Sequence, residues 1–135
     1  MYVVAFNGSA REGGNTSYYI HRTFEALEAA GHECEEVSLA GKVVRGCTAC
    51  MSCREDALEE CTYDDDIVNE CIGKMKKAAA IIIASPTYFS DMTAETKALI
   101  DRSGYVARGS GKFLSRKIGA AIAVARRAGH IHTFQ

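Results

Sequence analysis

YVVAFNGSAREGGNTS, residues 2–17, reads as a buried strand that turns through a polar, glycine-bearing loop into a helix. Tyr2–Phe6 is an unbroken apolar run closed by Asn7-Gly8, the pattern of a strand covered on both faces. The loop after it holds a flexible pair, Gly13-Gly14, and a set of short polar side chains, Ser9, Asn15, Thr16 and Ser17. It matches neither a Walker A sequence nor the G-x-G-x-x-G dinucleotide pattern. Its donors and the positive end of the helix suit a terminal phosphate monoester, and Arg11 can add a bidentate contact. The plainer alternative is a capped turn with a solvated arginine.

Outward from this unit, Ser17–Ala30 carries Tyr18, Phe24, Leu27 and Ala30 at helical spacing, with Asn15 or Thr16 as cap and Gly31 as stop. Glu33–Leu39 is a more polar strand, as an edge position tolerates. Asp64–Ala78 predicts a helix with acidic residues in its first turn and lysines in its last. Ala79–Ala84 is a fully apolar strand, Thr93–Tyr105 a helix, and Lys117–Ala125 a last strand. Strands alternating with helices predict an α/β fold, a doubly wound parallel sheet in three α/β/α layers. Ligands in such sheets sit beyond the carboxyl ends of the strands, where residues 7–16, 85–93 and 126–132 fall. The last strand has no following helix and strand to cover it. An open apolar edge invites pairing, so either a partner subunit covers it or the chain is a shortened version of a longer protein.

Two of those loops carry further candidates. In SPTYFSD, Pro86 fixes the backbone while Thr87, Tyr88 and Phe89 offer a hydroxyl and rings to a flat aromatic cofactor; ordinary turn chemistry is the alternative. In ARRAGHIH, Arg126 and Arg127 can stabilise negative charge on a ligand or simply face water, and His130 and His132 are loop histidines rather than metal ligands.

Between the second strand and the second helix lies GCTACMSCREDALEEC, with Cys47, Cys50, Cys53 and Cys61. Three cysteines two residues apart, followed by a fourth, is a spacing that wraps an iron–sulfur cubane. A zinc site more often pairs two C-x2-4-C hairpins across a spacer, and free or paired thiols remain a third reading. Cys34 and Cys71 fall in a strand and a helix, where a buried structural thiol is the default.

At 135 residues, 47% apolar and 24% charged, the chain is expected to form a single domain, 1–135, with the cysteine-rich loop inserted at about 44–64. A net charge of -1 argues against nucleic acid as partner. No apolar run has the length of a membrane span, and Met1 leads straight into a strand, so a cytoplasmic location is expected.

Taken together, FNGSAREGGNTS, C-x2-C-x2-C-x7-C, the following DDD, SPTYF, KALIDRSG and AVARRAG resemble the flavodoxin-like NADPH-dependent FMN reductase superfamily, and within it the iron–sulfur flavoproteins. The resemblance implies FMN, its phosphate held by Ser9, Arg11, Asn15, Thr16 and Ser17. Its ring would be lined by Pro86, Thr87, Tyr88 and Phe89 with Ala125, Arg126, Arg127 and Gly129 beside it. It also implies a [4Fe-4S] cluster on Cys47, Cys50, Cys53 and Cys61, a homo-oligomer (dimer or tetramer), and a cluster loop facing a neighbouring subunit's flavin. The family pattern continues through another helix and a fifth strand, which this sequence does not reach. The expected activity is that of an oxidoreductase passing electrons between FMN and the cluster, supplied by a ferredoxin-type donor. No side chain then acts as acid, base or nucleophile, because the chemistry is borne by the cofactors. The rival is a cluster-free NAD(P)H-dependent FMN or quinone reductase, and a third reading is a non-catalytic flavin-binding or zinc-stabilised module.

Overall fold

The apolar run at the amino end forms β1 (Tyr2–Asn7) in a computed structural model that describes residues 1–55 and 58–135. It is followed by α1 (Asn15–Ala29), β2 (Glu33–Ser38), α2 (Ser52–Glu55), α3 (Val68–Lys77), β3 (Ala80–Pro86), α4 (Ala94–Gly109), β4 (Ile118–Val124) and α5 (His130–Phe134). The strands make one parallel sheet in the order β2-β1-β3-β4. Sequence order reverses beside β1, and the three polar loops leave the carboxyl ends of β1, β3 and β4, where an open α/β sheet places its ligands.

Because successive strand residues point to opposite faces, β1 divides the core in two. Val3 and Ala5 pack with Ile20 and Phe24 of α1 and with Ile82 and Ala84 of β3. Val4 and Phe6 join Ile72 and Met75 of α3, Leu99 and Val106 of α4, and also Cys53 of the cysteine loop. All four β1 side chains are at most 2% exposed, which is why this run lacks the polar alternation of β2. Burying each of the larger ones contributes about 1.5–3 kcal/mol.

The elements depart from the sequence reading at their ends, for local reasons. α1 begins at Asn15, with Gly14 as its extended cap residue and no capping side chain, so neither Asn15 nor Thr16 caps it. α3 begins at Val68 rather than Asp64. Asp66 is used differently: its carboxylate accepts the N–H groups of Arg45 and Val68 (2.9 and 3.0 Å), turning the chain before the helix can start. α4 runs four residues past Tyr105 to Gly109, opened by Thr93, whose hydroxyl accepts the Thr96 N–H.

Two short helices, α2 and α5, were not expected. α2 lies against the end of α4 so closely that a Cβ on Gly109 would sit 2.9 Å from the Arg54 Cα. α5 follows Gly129, which takes a left-handed conformation at φ 92°. Among the described residues β4 is the edge strand of the sheet, and its Ile118 is 62% exposed. Among the described residues, no helix is long and apolar enough to cross a membrane. Between β2 and α3 the described residues form only the short α2, and residues 56 and 57 of the cysteine-rich segment lie outside the described ones.

Candidate cofactor sites

The loop after β1 is held from below by buried polar contacts. Ser9 N–H donates to Asn7 Oδ1 (2.9 Å), and Ser9 Oγ both accepts the Arg11 N–H (3.1 Å) and donates to the Arg11 carbonyl (3.2 Å). Ser17 Oγ donates to Glu36 Oε2 (2.8 Å), the carboxylate that Asn7 Nδ2 also reaches (2.7 Å). Ser9 and Ser17, read from the sequence as phosphate donors, thus have hydroxyls already engaged in shaping and anchoring the loop. Arg11 and Asn15 are exposed, and Thr16 is buried in the first turn. With no capping side chain on α1, its first-turn N–H groups point out of the helix end unclaimed by a side chain, which is where an anion is stabilised.

Gly8 ties this loop to α4. A Cβ there would run into Thr96 Oγ1 and stand 2.9 Å from Thr93 Oγ1, while the Thr93 hydroxyl donates to the Gly8 carbonyl (2.8 Å). Ser85 Oγ accepts the Thr93 N–H (3.0 Å), so the ends of β1 and β3 and the start of α4 are locked together inside the protein. Gly8→Ala is expected to cost about 1–3 kcal/mol, the usual penalty of overpacking. Urea denaturation measures it, and an unchanged midpoint would contradict this close approach.

The second loop is a tight reversal. Tyr88 and Asp91 exchange backbone hydrogen bonds (2.9 and 3.0 Å), and the two residues between them, Phe89 and Ser90, both have positive φ (50° and 64°). That is the backbone of a primed hairpin turn, which bulky residues enter at a cost. It carries Phe89 fully into solvent beside the half-exposed Tyr88. The third loop packs on it: Gly129 lies against Thr87 and Ser90, and Thr133 Oγ1 donates to Thr87 Oγ1 (2.9 Å). Thr87 and Gly129 are therefore brought together and Pro86 pairs with Val124, the residue before Ala125, while Arg126 and Arg127 are exposed on the same loop.

Cys47, Cys50, Cys53 and Cys61 line one small pocket, closed on its other side by Tyr63, Arg102, Tyr105 and Val106. All six cysteines are free thiols in the structure. Ala49 and Met51, which flank Cys50, have left-handed backbones (φ 55° and 66°), the kind of residue from which anion-binding turns are built. Ala49 N–H donates to Cys47 Sγ (3.4 Å). The backbone N–H and then the hydroxyl of Ser52 hold the Cys50 thiol below its usual range. Burial pushes Cys53 up, and the charges of Cys61, Cys50 and Cys47 push it further. Among the described residues, no three His, Cys, Asp or Glu side chains gather at one point as around a single metal ion. Cys71, by contrast, is fully buried and pushed up to about 12 by that burial, an inert core thiol as the sequence suggests.

The fourth cysteine is the most firmly held, by residues that sequence reasoning did not single out. Asn69 of α3 clamps its backbone with two hydrogen bonds of 2.8 Å, and Arg102 of α4 donates from Nε to Cys61 Sγ (3.3 Å). Arg102 is 1% exposed. It also donates to the carbonyls of Arg45 (3.3 Å) and Tyr63 (2.8 Å) and pairs with Asp66, whose side chain is fully buried. The signal was there to read: Arg102 follows Leu99 by three residues and precedes Val106 by four, placing a cation on the apolar stripe of the helix. A hollow of about 730 Å³ lies nearby along α4, lined from Arg54 through Ile100 and Arg108 to Ser115, and away from the three loops.

The model of NADPH-dependent FMN reductases matches residues 1–135. The chain belongs to that family. Within it, the chain groups with iron–sulfur flavoproteins: it is 38% identical to one from Methanocaldococcus jannaschii and 35% identical to one from Methanosarcina thermophila. Both matches cover all of this chain, and 68% and 70% of those relatives. The family is one of oxidoreductases. Solved structures share its fold at low identity, among them a flavone reductase (TM-score 0.73, 16% identical) and an NADH:FMN oxidoreductase (TM-score 0.66, 15% identical). The chain spans 46% and 61% of the length of those two proteins, with 98% and 96% of itself covered. The flavodoxin-like sheet expected from the sequence is the one observed.

Proposed function

We propose that this chain is a redox flavoprotein that holds FMN at the carboxyl end of its sheet and a [4Fe-4S] cluster on its four grouped cysteines, and that it passes electrons between them. The observation that carries the reading is the single pocket lined by Cys47, Cys50, Cys53 and Cys61. Thiolates ligate such clusters, and backbone N–H groups already reach two of the sulfurs, Ala49 that of Cys47 and Ser52 that of Cys50, where ligand sulfurs are negative. The names of the curated relatives support the same conclusion. FMN supplies one- and two-electron chemistry and the cluster one-electron chemistry, which lets the pair connect carriers of different electron number.

The chain's own part is to bind and orient. Arg11, Asn15, Thr16 and the first turn of α1 take the phosphate, with Ser9 and Ser17 shaping the loop beneath. Pro86, Thr87, Tyr88 and Phe89 line the ring, with Ala125, Arg126, Arg127 and Gly129 on its flank. The phosphate loop meets α4 at Thr96 and the cysteine pocket meets it at Arg102 to Val106, so the two contacts lie roughly 9–15 Å apart along that helix. In this reading the protein is a dimer or tetramer in the cytoplasm, its cluster loop turned toward the flavin of a second copy, with a ferredoxin-type protein as electron source.

Purification in strict absence of air tests the proposal. Iron and acid-labile sulfide at about four each per chain, with FMN and a broad absorbance that dithionite bleaches, are expected. Flavin without iron, together with fast NADPH oxidation, would favour the cluster-free reductase instead. Arg11→Ala is expected to weaken FMN by about 1.5–3 kcal/mol, roughly 10- to 150-fold in Kd, as the loss of a charge-assisted hydrogen bond does. Fluorescence titration of the flavin reads it out, and an unaltered Kd would leave Arg11 facing solvent.

A further inference from the structure

We infer that Arg102 is a positioning residue for the cysteine-bound cluster, fixing Cys61 as a ligand and making the cluster easier to reduce; this rests on the reading of the cysteine pocket above. A guanidinium buried to 1% exposure in the middle of a helix needs a reason, since burying a charge is costly unless it is paired and fully hydrogen-bonded. Here each of the three guanidinium nitrogens has a partner, and all of the partners belong to the cysteine segment or its flanks. The fork reaches Cys61 Sγ, the carbonyls of Arg45 and Tyr63, and the Asp66 carboxylate. Those residues flank the cysteine segment on both sides: Arg45 just before Cys47, and Tyr63 and Asp66 just after Cys61. One side chain from the rigid α4 thus draws together both ends of an otherwise irregular loop. Asn69 fixes the Cys61 backbone from α3, so the sulfur itself is the part left for Arg102 to orient.

The chemical consequence follows from charge. A fixed cation hydrogen-bonded to a ligand sulfur stabilises the more negative, reduced form of whatever that sulfur ligates, and such bonds are among the determinants of cluster potential. Lysine keeps the charge and the partner Asp66 but has no planar fork, and it loses the Nε–H aimed at the sulfur.

The test compares wild type with Arg102→Lys, both loaded with ferrous iron and sulfide without air. Arg102→Lys is expected to take up iron, to show a lower midpoint potential in a dye-coupled titration of the broad absorbance, and to lose iron to a chelator about 10- to 100-fold more readily. Potential and chelator loss both equal to wild type would overturn the inference, since a packing role alone moves neither once the fold is intact. If Arg102→Lys holds no iron, the double variant Arg102→Met with Asp66→Asn decides, because it leaves no uncompensated buried charge. A folded double variant with faster iron loss supports the assignment, and one that retains iron as wild type does refutes it. Wild type that takes up no iron would overturn the cysteine-pocket reading itself, a result recognisable before any variant is made.

Discussion

Asp66→Ala is expected to destabilise the protein by about 3–5 kcal/mol, the cost of leaving a buried charge without its partner. Arg102 would remain in place, 1% exposed, still bonded to two carbonyls and a sulfur but with no anion beside it. The same substitution removes the acceptor of the Arg45 and Val68 N–H groups, so the turn into α3 goes with it. Urea denaturation reads the loss, and a change under about 1 kcal/mol would show that the pair is not the anchor described here. The pH dependence has a definite sign. Burial by itself would raise the Asp66 carboxyl, but the Arg45 and Val68 N–H groups and the Arg102 guanidinium outweigh it and hold it below its usual range. A carboxyl depressed in the fold contributes stability that is complete above its unfolded value of about 3.9 and is lost as pH falls through the folded value. Wild type is therefore expected to lose stability below about pH 4 by more than Asp66→Ala does, which thermal melts across that range would show.

Cys50→Ser is expected to abolish the broad visible absorbance and take bound iron from about four per chain to near zero, while FMN stays bound. Serine matches cysteine in shape but offers a hydroxyl that is hardly ionised near neutral pH. Cys50 stands in the middle of the left-handed turns, exposed, and with its thiol already held down by Ser52, so its loss removes a ligand without disturbing the core. Cys71→Ser is the control: it sits outside the pocket, fully buried in α3, and should leave iron unchanged. Equal iron in Cys50→Ser and wild type would mean the ligands are wrongly assigned.

How much of this was legible beforehand depended on the range of the interactions involved. Strands and helices whose faces are set by apolar spacing, such as Tyr2–Phe6 and the stripe of α4, appear at nearly their true places. Boundaries moved where a polar side chain had a distant partner. Asp66 was read as part of a helical first turn because the favourable dipole is a local effect, whereas its real partner is 36 residues away. Ser17 was read as a ligand donor, yet its hydroxyl is engaged by Glu36 on the neighbouring strand. α2 was invisible because four residues carry no periodicity, and it exists through its fit against Gly109.

The order of the four strands and three long helices, the parallel sheet they imply, the loops at its carboxyl end and the candidate ligand set are properties of local sequence, since periodicity and spacing act over a few residues. Which sulfurs share a pocket, what holds Cys61, and why a charged Arg102 can lie in the core were decided only when α3, α4 and the cysteine loop came together. Those contacts join residues tens of positions apart, and their energies depend on burial and pairing that no single segment possesses.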